Sequence, residues 1–343
     1  MTTTAPAPAP TPPEVPDPPR VGRWRRGTDA PQRRFALLVL SPTLLYLAAF
    51  TLLPLVWVAA LSLFDYSPRR EGAGIGGLGG DNPFVGLQNF SAMLHFGNSA
   101  SLFAEQLHNS IKITLIFAFI VLPLNLLICL PLAVMIESVA RRLRPFLRTI
   151  FFLPVLTSAV AVAVIWQYVL NPQYGLLNSI FTKIRGEVTV IPWLTDPNID
   201  IAGIPIALIA VTIAYLWMDI GYNLVIFIAA LQGIPKSLNE AAELDGVNAW
   251  QRFRYVTLPL LKPTIFLAAI LTMISSFQAF DLFQVMTTGG PDDQTRVLSL
   301  DIFDNAFRFQ SMGWAAAESI VLLLMVLLIS LIQARFLRTK WSY

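Results

Sequence analysis

The residues best able to do chemistry in this chain are few, and most of them sit in apolar surroundings. Asp219 lies inside a hydrophobic run, with Tyr215 four residues before it and Tyr222 and Asn223 three and four residues after it. Helical spacing puts these side chains on one face as a polar, aromatic stripe. Ser275, Gln278 and Asp281 recur at spacing three, with Ser276 and Phe280 beside them, and form a second stripe. An ionisable side chain in hydrocarbon costs about 2.5–3.5 kcal/mol on insertion scales, so such residues face a bundle interior or a water-filled cavity. The chemistry on offer is non-covalent recognition of a polar solute. A plainer role stays open: Asn125, Gln167 and Asp281 can also serve as hydrogen bonds between helices, worth about 0.6–2 kcal/mol each.

Covalent chemistry is poorly supplied. The two histidines, His95 and His108, fall away from any nucleophile motif, and a solvated surface role is expected for both. The single cysteine, Cys129, excludes a disulfide framework and reads as a small packing residue. No G-x-x-x-x-G-K-[ST] phosphate cradle occurs, and no glycine precedes any lysine. The chain is not its own ATPase and carries no catalytic or metal site.

These residues must be positioned by membrane-crossing helices. Of 343 residues 55% are hydrophobic and only 13% charged, against about 25% charged in soluble domains. A net charge of +3 is too small a surplus to argue for nucleic acid. A bilayer core about 30 Å thick needs about 20 apolar residues in a helix. Six runs qualify: Phe35–Phe64, Ile113–Ile136, Thr149–Leu170, Ile204–Leu231, Thr264–Thr287 and Gly313–Ala334. Prolines within them (Pro42, Pro54, Pro123, Pro131, Pro154) are expected to kink rather than end the helices. Glu318, in the last run, is expected at the membrane interface.

Basic flanks orient the bundle. Seventeen Lys and Arg fall on the side of the N-terminal tail and six on the other, with Lys112 at an interface. Both termini are therefore expected in the cytoplasm. Residues 1–34, rich in Pro, Ala and Arg, are expected to be a disordered cytoplasmic tail, and 35–343 the transmembrane domain. The outer loop 65–108 is Gly-rich from Gly72 to Gly80, while Phe84 to Phe90 are able to dock on the bundle.

The cytoplasmic segment 232–263 is punctuated more strongly than the rest. Ser237-Leu238-Asn239-Glu240 predicts a capping box, and Gly246 suits a left-handed helix end. Asn248 predicts the cap of a second short helix through Tyr255, before Pro259 and Pro263. So short a helix needs packing to persist. Leu238, Ala241, Ala242 and Asp245 fall on one face, where the alanines allow another protein surface to approach closely. The alternative is an ordinary surface loop.

Here the sequence resembles a known family. Glu240-Ala241-Ala242, Asp245-Gly246, Leu258-Pro259 and Pro263 match the Glu-Ala-Ala loop of membrane subunits of binding-protein-dependent ABC importers, most closely the maltose- and glycerol-phosphate-type carbohydrate branch. Val247 departs from the Ala that is commoner there. Phe84-Val85-Gly86-Leu87-Gln88-Asn89-Phe90 agrees as well, as do Asn171-Pro172 with Tyr174-Gly175 and Asn178, and Gly289-Gly290-Pro291 with Thr295. The resemblance covers about residues 35–340 and implies an all-α integral membrane protein of the type I ABC importer permease fold.

It further implies that the loop helix inserts into a cleft on a separate ATPase, which binds the ATP and magnesium. On that reading Glu240 orients the helix, Ala241 and Ala242 make the contact, and Asp245, Gly246, Leu258 and Pro259 shape the loop. The implied partners are a second, non-identical permease subunit, two cytoplasmic ATPase subunits and an external solute-binding protein, in a bacterial cell membrane. The cargo implied is a sugar, which the stripes of Tyr215, Asp219, Tyr222 and Asn223 and of Ser275, Gln278 and Asp281 suit with hydrogen-bonding groups and ring faces. Glycerol phosphate or another small polar solute is the alternative, though only Lys112 is a basic residue near a span on the outer side. An ion-coupled secondary carrier would need repeated halves, which the sequence lacks. A membrane enzyme would need a His/Asp/Glu cluster at one membrane face, which it also lacks.

Overall fold

The computed structural model describes residues 30–70, 81–95, 102–188 and 190–337. Most of the N-terminal tail and the Gly72 to Gly80 stretch lie outside the described residues. Two units are distinguished, residues 1–55 and 56–343. Helix α1 (Ala30–Leu47) of the first passes into a π-helical turn, Ala48–Leu52, and then into α2 (Leu53–Leu61), whose residues from 56 onward belong to the second. The wide turn ends where the Leu53 amide bonds the Ala48 carbonyl, one residue before Pro54. Proline has no N–H and its ring crowds the carbonyl four residues back, so a wider turn before it keeps the helix continuous.

The second unit is built almost wholly of helices. Helix α3 (Gln88–Met93) precedes α4 (Leu102–Ser138), which at 37 residues starts well before the apolar run that predicts it. Helix α5 (Arg144–Phe152), a 3-10 turn (Leu153–Leu156) and α6 (Ala159–Val169) follow, then α7 (Leu176–Arg185). Strands β1 (Asp200–Ile201) and β2 (Ile204–Pro205) make a two-residue antiparallel hairpin ahead of α8 (Ile206–Gln232). Next come α9 (Lys236–Leu244), α10 (Ala249–Arg252), α11 (Leu258–Phe277), α12 (Asp281–Met286), α13 (Leu298–Phe303) and α14 (Met312–Leu337).

Among the described residues five helical stretches are long and apolar enough to cross a bilayer: Phe35–Leu61, Leu102–Ser138, Ile206–Gln232, Ala249–Met286 and Met312–Arg335. The third predicted run differs from expectation. Arg144–Leu156 and Ala159–Val169 meet at a bend of 100°, and only if the bent pair is one span does the count reach six. The chain does more than kink here. Thr157 and Ser158 are extended, and a new helix begins.

What holds the second unit together is close packing, because hydrocarbon gives helices no hydrophobic reason to associate. Small buried residues such as Ala118, Ala133, Ala210, Ala214 and Ala268 let backbones approach. Gly221 of α8 is the extreme case: a β-carbon there would lie 2.3 Å from the Phe151 carbonyl and 2.7 Å from Val155 Cγ2. The bent segment thus crosses α8 at a point that admits no side chain. Phe117 of α4 stacks edge-on against Tyr215 and Phe283, with ring centroids 5.1 and 4.9 Å apart, tying α4, α8 and α12 together.

Candidate functional site

Two of the sequence-predicted stripes meet at one cavity. Helix α11 ends at Phe277, where the Gln278 amide bonds the Ile274 and Ser276 carbonyls, and Asp281 opens α12 after a short break. The spacing-three stripe is therefore not one continuous helical face, as the sequence predicts. The break instead turns Gln278, Phe280 and Asp281 toward α8, around a cavity of about 300 Å³ that Tyr215, Asp219 and Ser275 also line. The Tyr215 hydroxyl donates to Ser275 Oγ at 3.0 Å, and Ser275 Oγ donates to the Thr272 carbonyl at 3.1 Å. The lining holds two carboxylates and no basic residue. Ser276 is buried and spent on the Met273 carbonyl.

Beneath Asp219 lies a polar layer that joins three helices. Asn125 Nδ2 of α4 donates to Asp219 Oδ2 at 2.7 Å. Asn223 Nδ2 donates to Asn125 Oδ1 at 2.9 Å and to Thr272 Oγ1 at 2.8 Å, and the Cys129 thiol lies 3.3 Å from Asn125 Oδ1. Asn223 is fully buried in this layer, outside the cavity lining. Tyr222 also stays out. It shares the azimuth of Tyr215 but stands seven residues farther, about 10 Å along the axis, and is half exposed. Spacing alone fixes azimuth and not depth, so four predicted neighbours divide into two lining residues, one clamp and one outward ring. Gln167 takes the interhelical role open to it, donating to the Val285 carbonyl at 2.7 Å.

The loop after α8 is organised differently from its predicted start. Helix α9 begins at Lys236 behind Pro235, which makes no side-chain cap; Ser237 is already inside the helix, so the Ser237–Glu240 capping box does not form. Proline's fixed φ and extended ψ make the entry without a side-chain acceptor. The exit is as predicted from Gly246, whose φ is +72°. The Gly246 amide bonds the Glu243 carbonyl and the Val247 amide bonds the Ala242 carbonyl, satisfying the last carbonyls of α9 in a Schellman arrangement. Ala242 is buried, whereas Leu238, Glu240, Ala241 and Asp245 are exposed. The predicted single face of Leu238, Ala241, Ala242 and Asp245 is therefore divided.

Asn248 caps α10, and its capping box with Gln251 is complete. That helix does not stop at Tyr255. A π-helical turn, Phe253–Thr257, carries it into α11, with the Leu258 amide on the Phe253 carbonyl and Pro259 next. The register matches the turn before Pro54. The loop is thus the direct extension of a span. Sequence reading missed the strut that closes it: Arg252 NH1 lies 2.5 Å from Glu243 Oε1, a pair nine residues apart and visible only once α9 folds back on α10.

Comparison with known proteins decides the family. Residues 129–341 match the family described as the binding-protein-dependent transport system inner membrane component. The chain is 32% identical to a probable ABC transporter permease protein of Pyrococcus horikoshii over 90% of its length and 96% of the relative's. It is 30% identical to the sn-glycerol-3-phosphate transport system permease protein UgpA of Agrobacterium fabrum (91% and 98% covered) and 33% identical to the lactose transport system permease protein LacF of Rhizobium radiobacter (86% and 91% covered). A bacterial alginate ABC transporter, solved in complex with an alginate pentasaccharide-bound periplasmic protein, shares the fold at a TM-score of 0.73. That chain is 21% identical, with 91% of this chain and 98% of that one covered.

This chain belongs to that family. It is a multi-pass permease subunit of an ABC importer in a bacterial cell membrane. Among the permease's described residues, no three His, Cys, Asp or Glu stand together as a metal site. Its loop motifs act as backbone clamps. Asn89 Nδ2 bonds the Ser62 and Phe64 carbonyls at 2.9 and 3.1 Å, and the Phe64 and Phe84 rings stack at 5.2 Å, which docks the Phe84–Phe90 segment. His108 is no free surface group, since its Nε2 lies 2.7 Å from the Met93 carbonyl. Asn178 donates to the Pro172 and Ile191 carbonyls and accepts from the Trp193 indole. Thr295 is buried beside Gly290, its hydroxyl 2.6 Å from that carbonyl.

Behind that last turn the permease carries an ion cluster that the sequence reading passed over. Arg296 lies 2.7 Å from both Asp293 and Asp304 and 3.8 Å from Asp301, while Arg308 lies 3.1 Å from Asp304. Burial pushes the Asp301 carboxyl up to about 7, against the pull of Arg296. Glu318 is fully buried within the chain, held by Asn305 at 2.9 and 3.0 Å and by the Trp314 indole at 2.6 Å. A buried carboxylate persists only when such donors satisfy it.

Proposed function

We propose that this permease forms half of the translocation pathway for a neutral sugar and is driven by a separate ATPase. The observation that carries the cargo class is the cavity lining. Hydrogen-bonding groups (Tyr215, Ser275, Gln278), an aromatic ring (Phe280) and two carboxylates (Asp219, Asp281) converge there without a Lys or Arg. Sugar hydroxyls donate readily to carboxylates and accept from amide and hydroxyl groups. An anionic solute would be repelled. Glycerol phosphate is the second reading, favoured by identity to relatives named for its transport and disfavoured by the charge of this lining. Tyr222 and Asn223 act on this reading as neighbours of the path rather than as contacts.

The bent pair Arg144–Leu156 and Ala159–Val169 is read as the third of six spans, with both termini cytoplasmic because seventeen basic residues flank that side. Exposed Glu240, Ala241, Asp245 and Gly246 meet a cleft on the ATPase, with the Glu243–Arg252 pair holding α9 to α10. Leu258 and Pro259 transmit the motion into α11, since α10 and α11 are one continuous rod. A second permease subunit completes the pathway, two ATPase subunits hold ATP and magnesium, and an external binding protein delivers solute. ATP-driven closure of the ATPase pair moves α9 and opens the cavity outward; hydrolysis resets it.

The test uses the whole importer in proteoliposomes. Gln278→Ala is expected to raise the KM for sugar uptake about tenfold, equivalent to about 1.4 kcal/mol, while assembly stays normal. Uptake of glycerol phosphate with no response to neutral sugars would overturn the cargo. Uptake abolished by an ionophore and indifferent to ATP would overturn the importer mechanism in favour of an ion-coupled carrier.

A further inference from the structure

A second cavity, of about 610 Å³, opens where the C-terminal ends of α4 and α8 meet the start of α5. Four cations, Arg141, Arg144, Arg148 and Lys236, line it with only one carboxylate, Glu137. Arg144 NH1 lies 3.1 Å from Glu137 Oε2, Arg148 bonds the other oxygen, and Gln232 Nε2 reaches the same carboxylate at 3.4 Å. That single charge is oversubscribed. Arg148 Nε is buried without a partner, and among the described residues neither Arg141 nor Lys236 has a carboxylate partner. A concave site with several uncompensated cations attracts an anion, and Arg favours the planar oxygen pairs of phosphate.

Helix α5 says which anion. Leu143, Phe146, Ile150 and Leu153 are all exposed, and their spacing of three, four and three makes one continuous apolar stripe. Arg144 and Arg148 lie on the opposite side of that helix, at 100° per residue, and Arg141 sits in the turn just before it. A cationic face backed by an apolar face suits the end of a bent span at the membrane boundary, its apolar side among acyl chains and its cations at the depth of the phosphates. A soluble anion would need no such stripe.

We propose that this cavity binds the phosphodiester headgroup of an anionic phospholipid, held by Arg141, Arg148 and Lys236, at the foot of the loop that carries α9. The inference stands apart from the cargo reading, since it holds for any solute. Lys236 is the first residue of α9, so a bound headgroup would link the lipid to the position of that helix.

The experiment is native mass spectrometry of the full chain in detergent, titrated in parallel with phosphatidylglycerol, phosphatidylcholine and inorganic phosphate. One phosphatidylglycerol retained per chain is expected, with phosphatidylcholine lost. The Arg141→Gln/Lys236→Gln double variant should weaken that retention at least tenfold, and the charge-keeping Arg141→Lys/Lys236→Arg pair should restore it. Arg141→Gln alone, at an exposed turn, gives the reading if the double variant does not fold. Equal retention by wild type and variants, or equal retention of phosphatidylcholine, overturns the proposal. Displacement of the lipid by millimolar inorganic phosphate assigns the site to a soluble anion and overturns it too. So does loss of ATPase co-purification in the variants with lipid retention unchanged, which would make the cavity a protein contact.

Discussion

Asn223 carries more of this molecule than its place in a stripe suggests. Its amide nitrogen reaches Asn125 and Thr272, so one residue of α8 ties α4 and α11 at a single level. Replacing it by Ala removes both bonds and leaves Asn125 Oδ1 only the Cys129 thiol; a loss of about 1–2 kcal/mol is expected, read as a lower melting midpoint in detergent with the helix content unchanged. Asp301 makes a prediction of opposite character. Its folded-state carboxyl is raised to about 7 from 3.8, so the folded chain binds the proton more tightly than the unfolded chain. That stability is complete below pH 4 and is lost as pH rises through 7. Asp301→Asn should flatten this dependence, so that the melting midpoints of wild type and variant diverge between pH 5 and 8. A wild-type midpoint that rises across that window would refute the assignment.

The elements gain their meaning from how they end. Gly246 has open space where a β-carbon would go, so its only demand is the positive φ. Gly246→Val therefore brings a backbone cost of about 1–2 kcal/mol and no clash at its β-carbon. Such a variant should assemble normally but lose most transport-linked stimulation of ATP hydrolysis, measured in proteoliposomes with the binding protein. Gly221→Val is its counterpart, a clash with no φ requirement, and should abolish assembly through overpacking at the α8 crossing. The sequence announces the first glycine through its neighbours, Asp245 and the Glu-Ala-Ala triplet. It gives no sign of the second, because nothing local tells that the Phe151 carbonyl will come to rest there.

For the whole molecule, a reporter that folds only in the cytoplasm is expected to be active when fused after Tyr343, and inactive when inserted between Asp196 and Asn198. The opposite pattern would reverse the orientation. Much of this architecture was legible without coordinates. Long apolar runs betray spans because backbone polar groups in lipid must pair within their own helix, and the loop announced itself through Gly246, Asn248 and the prolines, which set φ or supply a cap within a few residues. Those constraints are local, and sequence determines them. Tertiary structure alone decided that the chain turns by 100° at Thr157 and Ser158, that α11 breaks at Gln278 to bring Asp281 to Asp219's cavity, that Asn223 is a clamp, and that Glu318 is buried. Each depends on which groups from distant segments fill the space and the hydrogen bonds around it, and periodicity along one helix carries no record of its neighbours.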